Sequence, residues 1–193
     1  MDNQQERIFD EICNEVSDLN LHYRYLKGVF INQPGNNKDQ ILQKASPIFF
    51  DITFHLFYDH VLLGIKKLSD PASQFGNENL SVLNLLAKLK PYPAAIAKNI
   101  DAQEAILLSS SKNILAQRNK RISHNDLNTK LGITPLPHID ESEIDECLSA
   151  LESLLNEISQ HYKHEKRNFT STTPALNCDP AFLLEVLKKG TEM

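Results

Sequence analysis

The chain has 193 residues, a formal net charge of −5 and a sequence pI of about 5.8, with 41% hydrophobic and 23% charged residues. That length can bury a core without disulfide staples, and the composition excludes wholesale disorder. The acidic balance excludes a generally basic nucleic-acid coat, though not a local basic site. Leu and Ile far outnumber the five Val, and there are six Gly and no Trp. Such a chain favours helices over a β-sandwich or barrel. Cys13, Cys147 and Cys178 lie far apart without CxxC spacing, so they read as free thiols in a reducing cytosol rather than as a disulfide framework or zinc site. The polar start MDNQQERIFDE is not a secretory signal, and no apolar run approaches the roughly 18 residues of a membrane span. The expectation is a cytoplasmic protein that uses no membrane.

The first predicted helix runs from about Gln4 to Ile31. Its apolar residues Ile8, Phe9, Ile12, Val16, Leu19, Tyr23, Leu26 and Phe30 recur at steps of one, three and four. Asn32-Gln-Pro-Gly-Asn-Asn ends it. A second helical stretch begins near Lys38 and meets Ser46-Pro47, which either interrupts it or opens a new helix with Pro47 first and Ser46 as cap. From Ile48 to Leu68 the chain is apolar around most of its circumference, which predicts the central, most buried helix. Ser69 to Asn77 reads as a loop, with Asp70-Pro71 a helix stop in which Asp makes a local turn bond. Leu80 to Lys90 reads as a short helix stopped by Pro91-Tyr-Pro93. A long helix is predicted from about Ala94 to Ile122, followed by a connector through Pro137.

Asp140 and Glu143 have capping-box spacing ahead of a helix carrying Ile144, Leu148, Leu151, Leu154, Leu155, Ile158 and Tyr162. Thr170 to Pro174 reads as a linker. Asp179-Pro180 opens a last helix over Ala181 to Lys189, with Gly190 at the C′ position. The predicted architecture is all-α: a bundle of four to five long helices with short accessory ones. Residues 1–168 form the bundle and 169–193 a linker and short terminal helix.

The charge is uneven. Ala105 to Asn125 contains no Asp or Glu but holds Lys112, Arg118, Lys120 and Arg121. This is either a solvated basic cap on a helix C-terminus or a phosphate-binding patch. The local sequence is Arg118-Asn-Lys-Arg-Ile-Ser-His124-Asn-Asp126. Arg supplies a permanent, planar donor fork for phosphate, and His supplies a group that takes or gives a proton near neutral pH. Together they suit RNA cleavage without a metal: imidazole moves the proton while Arg stabilises phosphorane charge.

The run RNKRISHND resembles the R-x(4–6)-H signature of HEPN domains, and more narrowly that of the abortive-infection type. Leu63-Gly-Ile-Lys-Lys-Leu-Ser-Asp-Pro71 and Asn79-Leu80-Ser81 resemble the same group, so that the likeness covers roughly residues 5–165. The resemblance implies a helical homodimer in which two motifs face each other in one composite site. It also implies metal-independent endoribonuclease activity leaving cyclic phosphate ends, in a toxin or antiviral effector, with a possible antitoxin or regulatory partner. Carried over, Arg118 is the motif Arg, Asn119 the polar residue after it, and His124 the motif His. No cofactor and no metal are expected. Silenced HEPN toxins commonly have a Tyr two residues after the His. Asp126 stands there instead, either orienting the imidazole or capping a turn.

Lys112, Lys120 and Arg121 are candidates for RNA phosphates. His161 and His164, three apart, could hold a metal but more simply mark an exposed helix end. His55 and Asp59 could pair on one face of the third helix, and Tyr23 and Tyr25 read as packing. The alternative function is a non-catalytic helical module that binds RNA, a nucleotide or a partner protein.

Overall fold

Asp2 opens the first helix, accepting from the backbone N–H groups of Gln4 and Gln5 while the Gln5 side chain accepts from the Asp2 N–H. In the computed structural model, helix α1 then runs Asn3–Phe30. The structure describes residues 1–31, 37–122, 126–170 and 178–192, with the backbone only at Ile122. The remaining elements are α2 (Lys38–Ala45), α3 (Pro47–Leu68), strands β1 (Ser73–Gln74) and β2 (Asn77–Glu78), α4 (Val82–Leu89), α5 (Ala94–Ser110) and α6 (Lys112–Gln117). A π-helical turn (Arg118–Ile122), α7 (Leu127–Lys130), α8 (Glu141–Lys163) and α9 (Pro180–Thr191) complete the chain. Four long helices and several short ones make the all-α bundle that the apolar periodicity predicts.

The central helix is α1, not α3. It packs against α2, α3, α4, α8 and α9, and Phe9, Ile12, Val16 and Leu26 are fully buried. Helix α3 contributes its fully buried core residues from its C-terminal half, Val61, Leu62, Ile65 and Leu68, while Phe54 and Phe57 pack half-buried against the same core and Phe50 joins a second, smaller cluster. Its N-terminal half shows Ile48, Phe49, Ile52 and Leu56 to solvent. Being apolar around a circumference selects burial only where the fold supplies a neighbour. By length and composition alone α3 is also long and apolar enough to cross a bilayer, which corrects the expectation that no segment is. Its buried half is, however, an integral part of the bundle core.

Other boundaries move for local reasons. Pro47 is the first residue of α3, so Ser46-Pro47 starts a fresh helix, although the Ser46 side chain makes no capping bond. The predicted loop after α3 contains a two-residue hairpin, Ser73 opposite Glu78 and Gln74 opposite Asn77. Phe75 (φ 52°) and Gly76 (φ 83°) form its tip in the left-handed region. Asp70 serves the Lys66 ammonium rather than a turn bond of its own.

The predicted long helix over 94–122 is broken at Ser111 and ends in the π turn. Three consecutive serines cause the break by competing for local partners. Ser109 Oγ donates to the Ile106 carbonyl, Ser111 Oγ to Leu108, and Ser110 Oγ to Glu146 on α8 at 2.7 Å.

Asp140 caps α8 as the sequence suggests: its N–H donates to Glu143 Oε2 at 2.9 Å. Asp179 caps α9, accepting from the Ala181 N–H at 2.8 Å. Gly190 lies inside α9 rather than after it. Helix α9 packs against α1 and α2. Arg24 Nη2 meets Asp179 Oδ2 at 2.9 Å, and Tyr25 donates to the Cys178 carbonyl. Gly28 lets Pro180 seat on α1, where a Cβ would come within 2.5 Å of the proline ring.

Candidate functional site

The basic segment reaches the surface through α6 and the π turn. The Arg118 N–H is shared between the carbonyls of Ile114 and Leu115, and from there the backbone widens through Arg118-Asn-Lys-Arg-Ile122. Such π turns recur where a helix gives up regular bonding to place functional side chains. Ile114 is fully buried, which fixes α6 on the core, and the π turn packs against α3. Gln117 Nε2 donates to the Pro137 carbonyl at 2.8 Å, and Asn113 Nδ2 to Glu143 Oε1 at 2.7 Å, so the connector at Pro137 and the first turn of α8 hold the segment.

Within this frame the two arginines differ. Arg121 is tied down: Nη2 donates to Asp59 Oδ1 at 2.5 Å, Nε to Gln117 Oε1 at 3.1 Å, and its guanidinium carbon lies 6.0 Å from the centroid of the Tyr58 ring. Burial raises the Tyr58 phenol above its ordinary pKa against the opposing pull of Arg121, so the ring stays neutral near pH 7. Arg118 is half-buried. Its Nη1 donates to Asn119 Oδ1 at 3.0 Å, while its Nε is buried with no acceptor among the described residues. A buried guanidinium N–H without a partner costs free energy that an arriving anion would relieve.

Asn119 and Lys112 are exposed, and Lys120 is half-exposed. The Asp126 N–H donates to the Lys120 carbonyl at 3.2 Å. Its carboxylate caps α7, accepting from the Thr129 N–H at 2.9 Å and the Thr129 hydroxyl at 2.8 Å. Those hydrogen bonds hold the Asp126 carboxyl below its usual pKa. The cap reading of Asp126 is therefore the one seen. His124 lies outside the described residues, so the six-residue spacing from Arg118 has no measured geometry.

The structure thus gathers Arg118, Asn119, Lys120 and Arg121 on one turn, with Lys112 a helix length away at the start of α6. His55 and Asp59 do not pair. Asp59 is taken by Arg121, and His55 Nε2 faces Asp51 Oδ1 at 3.8 Å, because those carboxylates lie on the sides of α3 that each base can reach. Among the described residues no three metal-ligating side chains converge. His164 ends α8 in the left-handed conformation and His161 packs its ring against Tyr162. Tyr23 is buried, as expected of packing. The Cys13 and Cys147 thiols, pushed up to about 12 by burial, are inert core residues.

Sequence reasoning missed Tyr58 as a wall of the site and Asp59 as the anchor of Arg121. No spacing signal links residues 62 apart. It also missed the orphaned Arg118 Nε, which only packing reveals.

The all-α bundle carrying the Arg-Asn-Lys-Arg turn is consistent with a HEPN-like helical fold. A family model of the HEPN class, described as AbiU2, matches residues 2–177, and the chain belongs to this family of abortive-infection proteins. No curated protein and no solved structure matches it.

Proposed function

We propose that the protein is a metal-independent endoribonuclease of abortive-infection defence, cutting RNA at a site composed by two copies of the chain. The observation that carries this reading is Arg118, whose buried guanidinium Nε has no acceptor among the described residues, on a turn free of acidic residues. In the proposed reaction the His124 imidazole takes the ribose 2′-hydroxyl proton. The 2′-oxygen attacks phosphorus, the P–O5′ bond breaks, and the leaving 5′-oxygen is protonated by the second imidazole of the site. The products are a 2′,3′-cyclic phosphate and a 5′-hydroxyl. Arg118 stabilises the phosphorane charge, with Asn119 orienting its fork through the 3.0 Å bond.

Lys112 and Lys120 are assigned to RNA phosphates. Arg121 has a different task in this account: its bond to Asp59 fixes the π turn on α3, so it positions Arg118 and contributes only a remnant of field to RNA. Asp126 supports the site by capping α7. The work is assigned to the cytoplasm, under restraint by an antitoxin or regulatory protein.

The test is cleavage of RNA in EDTA by wild type and by His124→Ala and Arg118→Ala variants of unchanged helicity. Loss of roughly 100-fold or more is expected for each. Full activity of a folded His124→Ala protein would remove the imidazole from the mechanism.

A further inference from the structure

Away from the basic turn, two imidazoles from different helices converge on one point. His22 of α1 and His60 of α3 set Nδ1 and Nε2 3.1 Å apart, with their rings at 84°. The approach is built into the packing. Gly64, one turn after His60, lets α3 close on α1, where a Cβ would come within 2.7 Å of Leu19 Cδ1. Leu19 lies three residues before His22 on the same helix face. The His22 ring also rests edge-on against Phe57, with centroids 6.4 Å apart, which fixes its plane. Without an ion the contact is a hydrogen bond in which one neutral imidazole donates to the other. It is also close to the spacing that a metal requires. Two imidazole nitrogens bound at about 2.0–2.1 Å to a tetrahedral ion lie about 3.3 Å apart.

The surroundings favour a cation. A cavity of about 160 Å³ opens beside the pair, lined also by Glu15, Asp18 and Lys67. Asp18 lies one turn and Glu15 two turns before His22, so all three share one side of α1. Both carboxylates and Lys67 are exposed, and none of them is in an ion pair among the described residues. Two carboxylates against one ammonium leave the mouth of the cavity net negative. Burial, then His22 and Lys67, lower the His60 pKa from its ordinary value, with Glu15 opposing. The imidazole is therefore neutral near pH 7, as a metal ligand must be.

We infer that His22 and His60 hold one divalent ion of the zinc type, as a clip that ties α1 to α3. Imidazole suits Zn²⁺, Ni²⁺ and Cu²⁺, whereas Mg²⁺ and Ca²⁺ take oxygen ligands. On binding, the bridging proton moves to the far ring nitrogen of the imidazole that carried it, and both lone pairs then face the ion. Water fills the remaining positions, because among the described residues no third metal-ligating side chain converges. Glu15 and Asp18 supply field rather than bonds. The ion takes no part in the proposed RNA cleavage; its work is to hold two core helices together from the surface.

The experiment is calorimetric titration of Zn²⁺ into the full chain near neutral pH, for wild type, His22→Gln and His60→Gln. A His161→Gln/His164→Gln double variant is the control for the other closely spaced histidine pair. Wild type and control should bind one ion per chain at this site. Each single variant should bind it at least about 10-fold more weakly, since losing even an outer-shell partner costs that much. Mg²⁺ in place of Zn²⁺ should give no binding. A wild type that binds no Zn²⁺, or binding that neither single variant weakens, overturns the inference. Should a single variant lose helicity, wild type alone carries the test through diethyl pyrocarbonate modification read by mass spectrometry. Zn²⁺ should protect His22 and His60 while His138, whose side chain is 85% exposed, is still modified. Modification of His22 and His60 unchanged by Zn²⁺ overturns the inference as well.

Discussion

The two halves of helix α3 differ in fate against their composition: the N-terminal half, with fewer charges, is the more exposed. Val61, Leu62 and Ile65 are fully buried against α1, whereas Ile48, Ile52 and Leu56 are more than half exposed. The C-terminal half has a neighbour in its own chain. Gly64 lets α1 approach, since a Cβ there would meet Leu19 Cδ1 at 2.7 Å. The N-terminal half has partners on one side only: Phe50, with Val29 and Leu42, forms a small second cluster joined by Leu184 and Leu187 of α9. Composition sets how much apolar surface a helix carries, and topology sets how much of it the chain itself covers.

The largest expected effect breaks the buried half. Leu62→Ala should cost about 2–5 kcal/mol in urea unfolding, because the cavity cannot collapse in a packed core. Ile52→Ala should change the stability of the isolated chain by only about 0.5 kcal/mol, in line with ordinary surface substitutions. Equal losses at the two sites would erase the contrast between the halves.

Next in size is the tie between α3 and the site. Asp59→Ala and Arg121→Ala should each loosen the π turn, and their double-mutant cycle should show coupling of about 0.5–3 kcal/mol. Both should reduce RNA cleavage less than Arg118→Ala does, since they act by positioning. A cycle with no coupling would detach Arg121 from Asp59 in solution. RNA binding itself should weaken as salt rises, in proportion to the phosphates that Lys112 and Lys120 neutralise; a flat salt response in a titration would deny them that role.

The smallest effect is a pH response where α3 meets α1. His60 Nε2 lies 3.1 Å from His22 Nδ1, and burial, His22 and Lys67 together lower the His60 pKa from 6.5, with Glu15 opposing. The fold therefore favours neutral His60, and the unfolded chain binds more protons as pH falls below about 6.5. Stability should decline modestly from there downward, and the melting temperature of His60→Gln should decline less over the same range. A His60→Gln protein with the wild-type pH profile would show that this pair is not the source.

The sequence made legible what local chemistry decides. Asp140 with Glu143, Asp179 with Pro180 and Pro47 at a helix start all appear where their side chains satisfy the first backbone N–H groups or their φ suits a first turn. The all-α architecture followed from the period of the apolar residues. The break at Ser111 did not, because the apolar stripe continues across it and only the serine hydroxyls compete with the helix. The exposure of half of α3 did not either, since apolarity carries no information about which neighbour arrives. At the site, Arg118, Asn119, Lys120 and Arg121 were legible as a charge island. The division of labour between Arg118, bonded to its neighbour Asn119, and an Arg121 tethered to α3 depends on Asp59, far away in sequence, and emerges only from packing.

The central claim is that one chain holds half a site. Its most direct measurement is RNA cleavage per chain, followed across dilution alongside light scattering on the same samples. The account predicts that specific activity falls in step with the dimer fraction and vanishes as the chain becomes monomeric. Undiminished cleavage per chain by the monomer would contradict it.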